Sequence, residues 1–444
     1  MAERRIPAIG LAAALMLAPT ALALAGPDVE QWRTDNGARV LYVHAPEIPL
    51  VDARVTFDAG SARDGDHPGS AHLASNLLMS GTSARGPDAI ARALERHGAD
   101  VSTGAERDMA WIKLRSLRDE RHLRPVAQTV AAVLRDPAFA ADEIERLKRQ
   151  QRTALDEQEQ SPGQIAKRLF WAAAYPGHPY GHHPLGSRDS IAAIERADLR
   201  AFHDRYYVAA NATVAIVGSL ERARARTLAQ TLVGDLAQGQ PAPALAPTPE
   251  LDGDRTIRES FPSTQAHVVV GRPAVSRGDT DWPAFYIANH VLGGGGFTSR
   301  LFTEVREAEG LVYSVYSHAT LMAAAGPFRI GFQTRGDRTE RALSIVRAQL
   351  SRLLQEGPTD DEIEAAKRNI GGSFPLEIDS NDELVGYLSM MGFYGLRSDY
   401  LDYFPEAIDE AGRRAAHRAL RERVGSAPRV TVIVGGDRSG QAGP

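Results

Sequence analysis

The chain has 444 residues, too long for one ordinary core and suited to two or three domains. Hydrophobic residues make up 43% and charged residues 24%, the balance of a globular protein, and a net charge of −5 gives no basic field that would favour nucleic acid. There is no cysteine, which excludes disulfides, thiolate zinc sites and cysteine nucleophiles. Of the 51 basic residues only Lys113, Lys148, Lys167 and Lys367 are lysines, a bias that fits a GC-rich genome better than a function.

In chain order, residues 1–25 read as an export signal. Arg4 and Arg5 precede a nearly unbroken apolar run from Ile9 to Leu24. Ala23-Leu24-Ala25 then offers a small-x-small cleavage site. The expected location is the periplasm or the medium, without a permanent membrane anchor. Ala38–Val43 and Val51–Phe57 alternate as half-buried strands do, and Gly86–His97 and Leu123–Leu134 have helical spacing. Further along, Leu301–Glu309 again has helical spacing, Gly310 can end that turn, and Leu311–Tyr316 reads as a strand.

An internal repeat organises these elements. Asp142–Arg149 recurs as Asp361–Arg368, an offset of 219 residues, and a proline (Pro137, Pro358) stands shortly before each copy. Val214–Gly218 resembles Thr431–Gly435 at an offset of 217, and Ala74–Leu78 resembles Ala288–Leu292 at 214. Three matches in one order at nearly one offset indicate duplication, and the period is far too long for a solenoid. Between the copies, Gln238–Asp254 holds Pro241, Pro243, Pro247 and Pro249 and suits an extended linker. The expected plan is residues 27–237, a linker at 238–254, a second copy at 255–438 and a frayed tail from Arg438. Strands and helices mix without strict alternation, which favours α+β: a mainly antiparallel sheet in each copy with helices packed on one face.

Gly69–Thr82 and its surroundings resemble the pitrilysin/insulinase type of zinc peptidase. In active members of that family a helix carries H-x-x-E-H, two His that bind zinc and a Glu that acts as base. Here the three positions are His72, Ser75 and Asn76. The family's third ligand, a Glu on a later helix, corresponds to Leu147–Leu155, a stretch with no carboxylate. One imidazole cannot hold a catalytic zinc, which needs about three protein ligands. No metal is therefore expected on this chain.

The resemblance continues through Pro179–Gly186, Phe202–Gly218 and, most specifically, Leu292–Val315. In that last segment the family carries an Arg and a Tyr, seven residues apart, that hold the substrate carbonyl opposite the zinc; here they are Arg306 and Tyr313. Gly293, Gly294, Gly295 and Gly296 lack the Lys-Ser/Thr of a phosphate loop and read as a close backbone approach between helix and strand. Their position also resembles the glycine-rich loop of the zinc-free subunit of mitochondrial processing peptidase. His178, His182 and His183 form the densest histidine cluster, with no carboxylate nearby in sequence, and read as an exposed loop.

The resemblance implies a non-catalytic, substrate-binding subunit that forms half of a clam-shell chamber. Its implied partners are a homologous zinc-binding H-x-x-E-H subunit and a peptide substrate. The other reading is a scaffold or binding protein of the same fold with no part in proteolysis. No G-x-S-x-G or S-x-x-K motif supports an independent serine enzyme.

Overall fold

A computed structural model describes residues 26–425 and 427–436. The expected export signal and the expected tail from Arg438 lie outside these residues. The first half runs β1 (Glu30–Arg33), β2 (Arg39–His44), β3 (Leu50–Phe57), α1 (Ser70–Leu77), α2 (Pro87–Glu95), β4 (Asp100–Ala105), β5 (Ala110–Leu117), α3 (Glu120–Arg135), α4 (Ala141–Glu159), α5 (Pro162–Ala174), α6 (Arg188–Ala193), α7 (Arg196–Tyr206), β6 (Ala212–Gly218) and α8 (Arg222–Val233). Residues 238–254 contain neither helix nor strand. The second half runs β7 (Arg255–Glu259), β8 (Gln265–Val275), α9 (Trp282–Asn289), β9 (Val312–Ala319), β10 (Gly326–Arg335), α10 (Thr339–Glu356), α11 (Asp360–Ser373), α12 (Asn381–Tyr394), α13 (Tyr400–Glu410), α14 (Arg413–Arg423) and β11 (Val430–Gly435).

The two sheets repeat one topology. Their orders are β1-β2-β6-β3-β5-β4 and β7-β11-β8-β10-β9. Without β1, strand for strand, the second is a copy of the first: a parallel pair (β2–β6, β7–β11) joined to antiparallel strands. The helices keep the register of the sequence repeat, since α3, α4 and α5 start at 120, 141 and 162 and α10, α11 and α12 start at 339, 360 and 381. The fold is α+β, as the mixed pattern implied.

Each sheet takes helices of its own half on one face. Against the first sheet, Leu73, Leu77, Val126, Val130, Leu199 and Leu228 pack on Val40, Tyr42, Val55 and Val214. The second face is not left to water, so the strands that alternate like half-buried ones are in fact covered on both sides. The cover is exchanged between halves. Leu384, Val385, Leu388 and Met391 of α12 join Leu41, Val43, Ala215 and Val217 of the first sheet in one core. Ile165, Phe170 and Trp171 of α5 join Val269, Val430, Val432 and Val434 of the second sheet in another. Each such apolar side chain contributes about 1.5–3 kcal/mol on burial, which ties the halves into one cooperative body.

A polar clasp reinforces the exchange. The Asp108 carboxylate, 4% exposed, accepts hydrogen bonds from Tyr180 Oη at 2.5 Å, Tyr394 Oη at 2.9 Å and Ala323 N at 2.8 Å. Asp108 and Tyr180 belong to the first half, Ala323 and Tyr394 to the second.

Candidate functional site

Helix α1 begins at Gly69, whose φ of +104° suits glycine, and the Asp64 carboxylate caps it by accepting from Gly69 N and Ala71 N, both at 2.7 Å. His182 Nε2 lies 3.4 Å from Asp64 Oδ2. Burial pushes the Asp64 carboxyl up, while His182 and the two backbone donors hold it down. The histidine loop is therefore packed against α1 instead of lying exposed. His178 is 7% exposed and bonded to Ala246 O at 3.0 Å, and His183 Nε2 pairs with Gln158 Oε1 at 2.9 Å.

His72 and Asn76, four residues apart, share one face of α1. Asn76 Nδ2 donates to His72 Nδ1 at 2.9 Å and to His72 O at 3.0 Å. Burial lowers the His72 pKa to about 4, so the ring is neutral at pH 7. With Nδ1 accepting from the amide, the ring proton lies on Nε2, and the lone pair that a metal would need is already engaged. Ser75 is fully buried beside the Tyr207 hydroxyl, whose pKa burial pushes far up. A serine in that setting is a packing residue and cannot reach water as a base.

From α4, the side chain that reaches this helix is Gln151. It is 5% exposed, and its Nε2 donates to Leu185 O at 2.7 Å and Gly69 O at 3.4 Å. It is a neutral amide engaged with backbone carbonyls. Among the described residues no group of three or more His, Asp and Glu side chains gathers to hold a metal ion. Asn76 and Gln151 are amides and Ser75 is a hydroxyl, a poor set of side chains for zinc.

The second half holds a different kind of surface. The turn expected at 301–309 forms as a wide π-helical stretch, Phe302–Ala308, and the preceding His290–Gly294 is π-helical too. Such stretches are rare and concentrate at functional sites. Gly310, at φ +59°, reverses the chain into β9, and Thr334 Oγ1 pins the turn by donating to Leu311 O at 2.6 Å. The result brings Arg306 and Tyr313 together. The Arg306 guanidinium carbon lies 4.9 Å from the Tyr313 ring centre and 4.8 Å from that of Phe302. Among the described residues Arg306 makes no ion pair, and Tyr313 is 76% exposed.

Phe297, which sequence reasoning did not single out, extends this stack. It is 74% exposed and meets Phe302 edge-on at 4.9 Å. The close-approach reading holds for three of the four glycines; at Gly296 a Cβ would meet nothing within 4 Å, and its φ of +58° is what favours glycine there. A Cβ on Gly293 would lie 2.6 Å from Ser317 N of β9, one on Gly294 2.8 Å from Asn289 Nδ2, and one on Gly295 2.6 Å from His290 Cε1.

Comparison with known proteins agrees with this layout. Residues 39–188 match the family described as insulinase (peptidase family M16), and residues 193–370 match the peptidase M16 inactive domain. A crystal structure of a peptidase M16 inactive domain from Pseudomonas fluorescens superposes with a TM-score of 0.89 at 37% identity, covering 92% of this chain and 98% of that one. A protein named an uncharacterized zinc protease in Mycobacterium leprae is 26% identical over 88% of this chain and 89% of its own. One named a non-peptidase homolog in Helicobacter pylori is 25% identical over 76% and 78%. With these matches and a repeated fold of this kind, the chain belongs to peptidase family M16, the insulinase family.

Proposed function

We propose that this chain is the zinc-free, substrate-binding subunit of a two-chain zinc peptidase. Its partner would be a homologous chain that carries H-x-x-E-H and the metal, and the two would close around a peptide. The observation that carries this reading is a contrast. Around α1 the donors are spent on one another, whereas half-buried Arg306 and exposed Tyr313 converge and Arg306 has no ion-pair partner among the described residues. Both donate hydrogen bonds, and such donors hold a carbonyl oxygen as negative charge develops on it. In this division a zinc held by the partner would supply water activation on one side of the scissile bond, and Arg306 and Tyr313 would hold the carbonyl oxygen from the other. We place the mature chain, freed of residues 1–25, in the periplasm or outside the cell.

The test is reconstitution with the H-x-x-E-H partner and a quenched-fluorescence peptide. Arg306→Ala and Tyr313→Phe should each lower kcat/KM by about 100-fold, the scale of losing one oxyanion donor, while the pair still assembles. Unchanged turnover in both variants would support the scaffold reading instead.

A further inference from the structure

One difference between the two halves plays no part in the proposed function. In the first half α8 follows β6 and covers the sheet, burying Ala225, Leu228, Ala229, Leu232 and Val233 in the core that contains Val40 and Val214. It also lies along α3. Arg224 of α8 donates to Glu120 at 3.0 Å, and Arg135 of α3 donates to Asp235, just beyond α8, at 2.9 Å. Between those two bonds, at helical spacing on α3, stand Ala127 and Ala131.

In the second half no described helix follows β11, and the same place is a cleft of 820 Å³. Its residues have changed to match. The strand pair Val40:Val214 is replaced by Thr256:Thr431, paired in the same register. The alanines of α3 become Val346 and Leu350, 219 residues on, so bulkier side chains narrow the space that a helix would fill. The cleft is thus not an empty helix berth. It has a mixed floor of threonine and branched apolar residues.

Its rim is cationic. Arg347, Arg421 and Arg429 all line it, against the single carboxylate of Asp254, which accepts from Arg429 N at 2.8 Å. Arg347 Nη2 donates to Thr431 Oγ1 at 3.2 Å, and Arg429 Nη2 donates to Gly425 O, leaving Arg429 Nε buried without an acceptor. No described carboxylate forms an ion pair with any of the three. Burial lowers the Arg429 pKa, with repulsion from Arg272 and Arg347 adding to it and Asp254 opposing it. An oxyanion in the cleft would relieve that repulsion. The volume falls in the range of small-molecule sites, about 300–1,000 Å³, and far exceeds an inorganic ion.

We infer that this cleft binds a small organic anion, its acid group held by Arg347, Arg421 and Arg429 and its apolar body laid against Leu350 and Leu354. The site is independent of the peptide-binding surface at Arg306 and Tyr313. The probe is 1-anilinonaphthalene-8-sulfonate, titrated into the full chain by fluorescence, with neutral N-phenyl-1-naphthylamine in parallel. The sulfonate should bind one site per chain at least tenfold more tightly than the neutral dye. The exposed-arginine double variant R347Q/R421Q should lose at least tenfold of that affinity, and R347K/R421K should retain most of it. Octanoate should displace the dye at concentrations where inorganic phosphate does not. Equal sulfonate affinity in R347Q/R421Q, equal binding of the neutral dye, or displacement by phosphate as effective as by octanoate would each overturn the assignment. The octanoate and neutral-dye arms use the unaltered chain, so the outcome does not depend on the variants folding.

Discussion

Removing one hydroxyl from the clasp between the halves should weaken the whole molecule. Tyr394 Oη donates to the buried Asp108 carboxylate at 2.9 Å across the halves. Tyr394→Phe deletes that bond and keeps the ring, over which the Arg277 guanidinium carbon lies 5.2 Å from the centre. A hydrogen bond to a charged group contributes about 1.5–3 kcal/mol, so the variant should lose about that much in urea unfolding. Asp108→Asn leaves an oxygen to accept but turns an NH2 toward donors from Tyr180, Tyr394 and Ala323, and should lose a similar amount. The double variant cannot lose the same bond twice. Its loss should fall short of the sum by about 1–2 kcal/mol, the coupling expected of residues in one network. A urea series on the four proteins, followed by circular dichroism and tryptophan fluorescence, measures this. Losses that add within about 0.5 kcal/mol would refute the clasp. Two separate unfolding steps, one for each half, would refute the single cooperative body that the exchanged helices imply.

Acid should unfold the protein partly through buried imidazoles. The pKa values of His72 and His183 are both lowered from 6.5 to about 4, His72 by burial and His183 by burial first and then nearby positive charge. The unfolded chain binds these protons from about pH 6.5 downward and the folded chain only near pH 4, so their contribution to stability is present above that window and lost as pH falls through it. The double variant His72→Gln/His183→Gln should show a shallower fall in unfolding free energy between pH 6.5 and 4.5, and NMR titration should place both rings near pH 4. Gly69→Ala should lose about 2 kcal/mol or more, because φ is +104° and the new Cβ would lie 2.8 Å from both Gln151 Nε2 and Leu185 O. Urea unfolding at pH 7 checks it, and an unchanged midpoint would contradict the close approach.

Much of this architecture was legible in the residues. The 219-residue repeat fixed the register of α4 against α11, and β6 and β11 stand where their β-branched runs placed them. The helix exchange was not legible. Fully buried strands and half-buried ones both carry apolar residues, and nothing local in α5 or α12 says which sheet it covers. The loss of ligands at Ser75 and Asn76 was plain in the sequence, but the engagement of His72 by the Asn76 amide needed coordinates. Arg306 and Tyr313 were found through a resemblance. Their stacking, and Phe297 beside them, depend on a π-helical stretch that α-spacing cannot anticipate. The cleft under Arg347, Arg421 and Arg429 was missed because its arginines come from three separate segments.

The central claim is that α1 has given up its metal, and a count of zinc atoms addresses it directly. The chain, purified alone without chelator and dialysed against micromolar zinc, should contain well under one zinc per molecule by plasma mass spectrometry, unchanged in His72→Ala. One tightly held zinc per chain, lost in His72→Ala, would contradict the account.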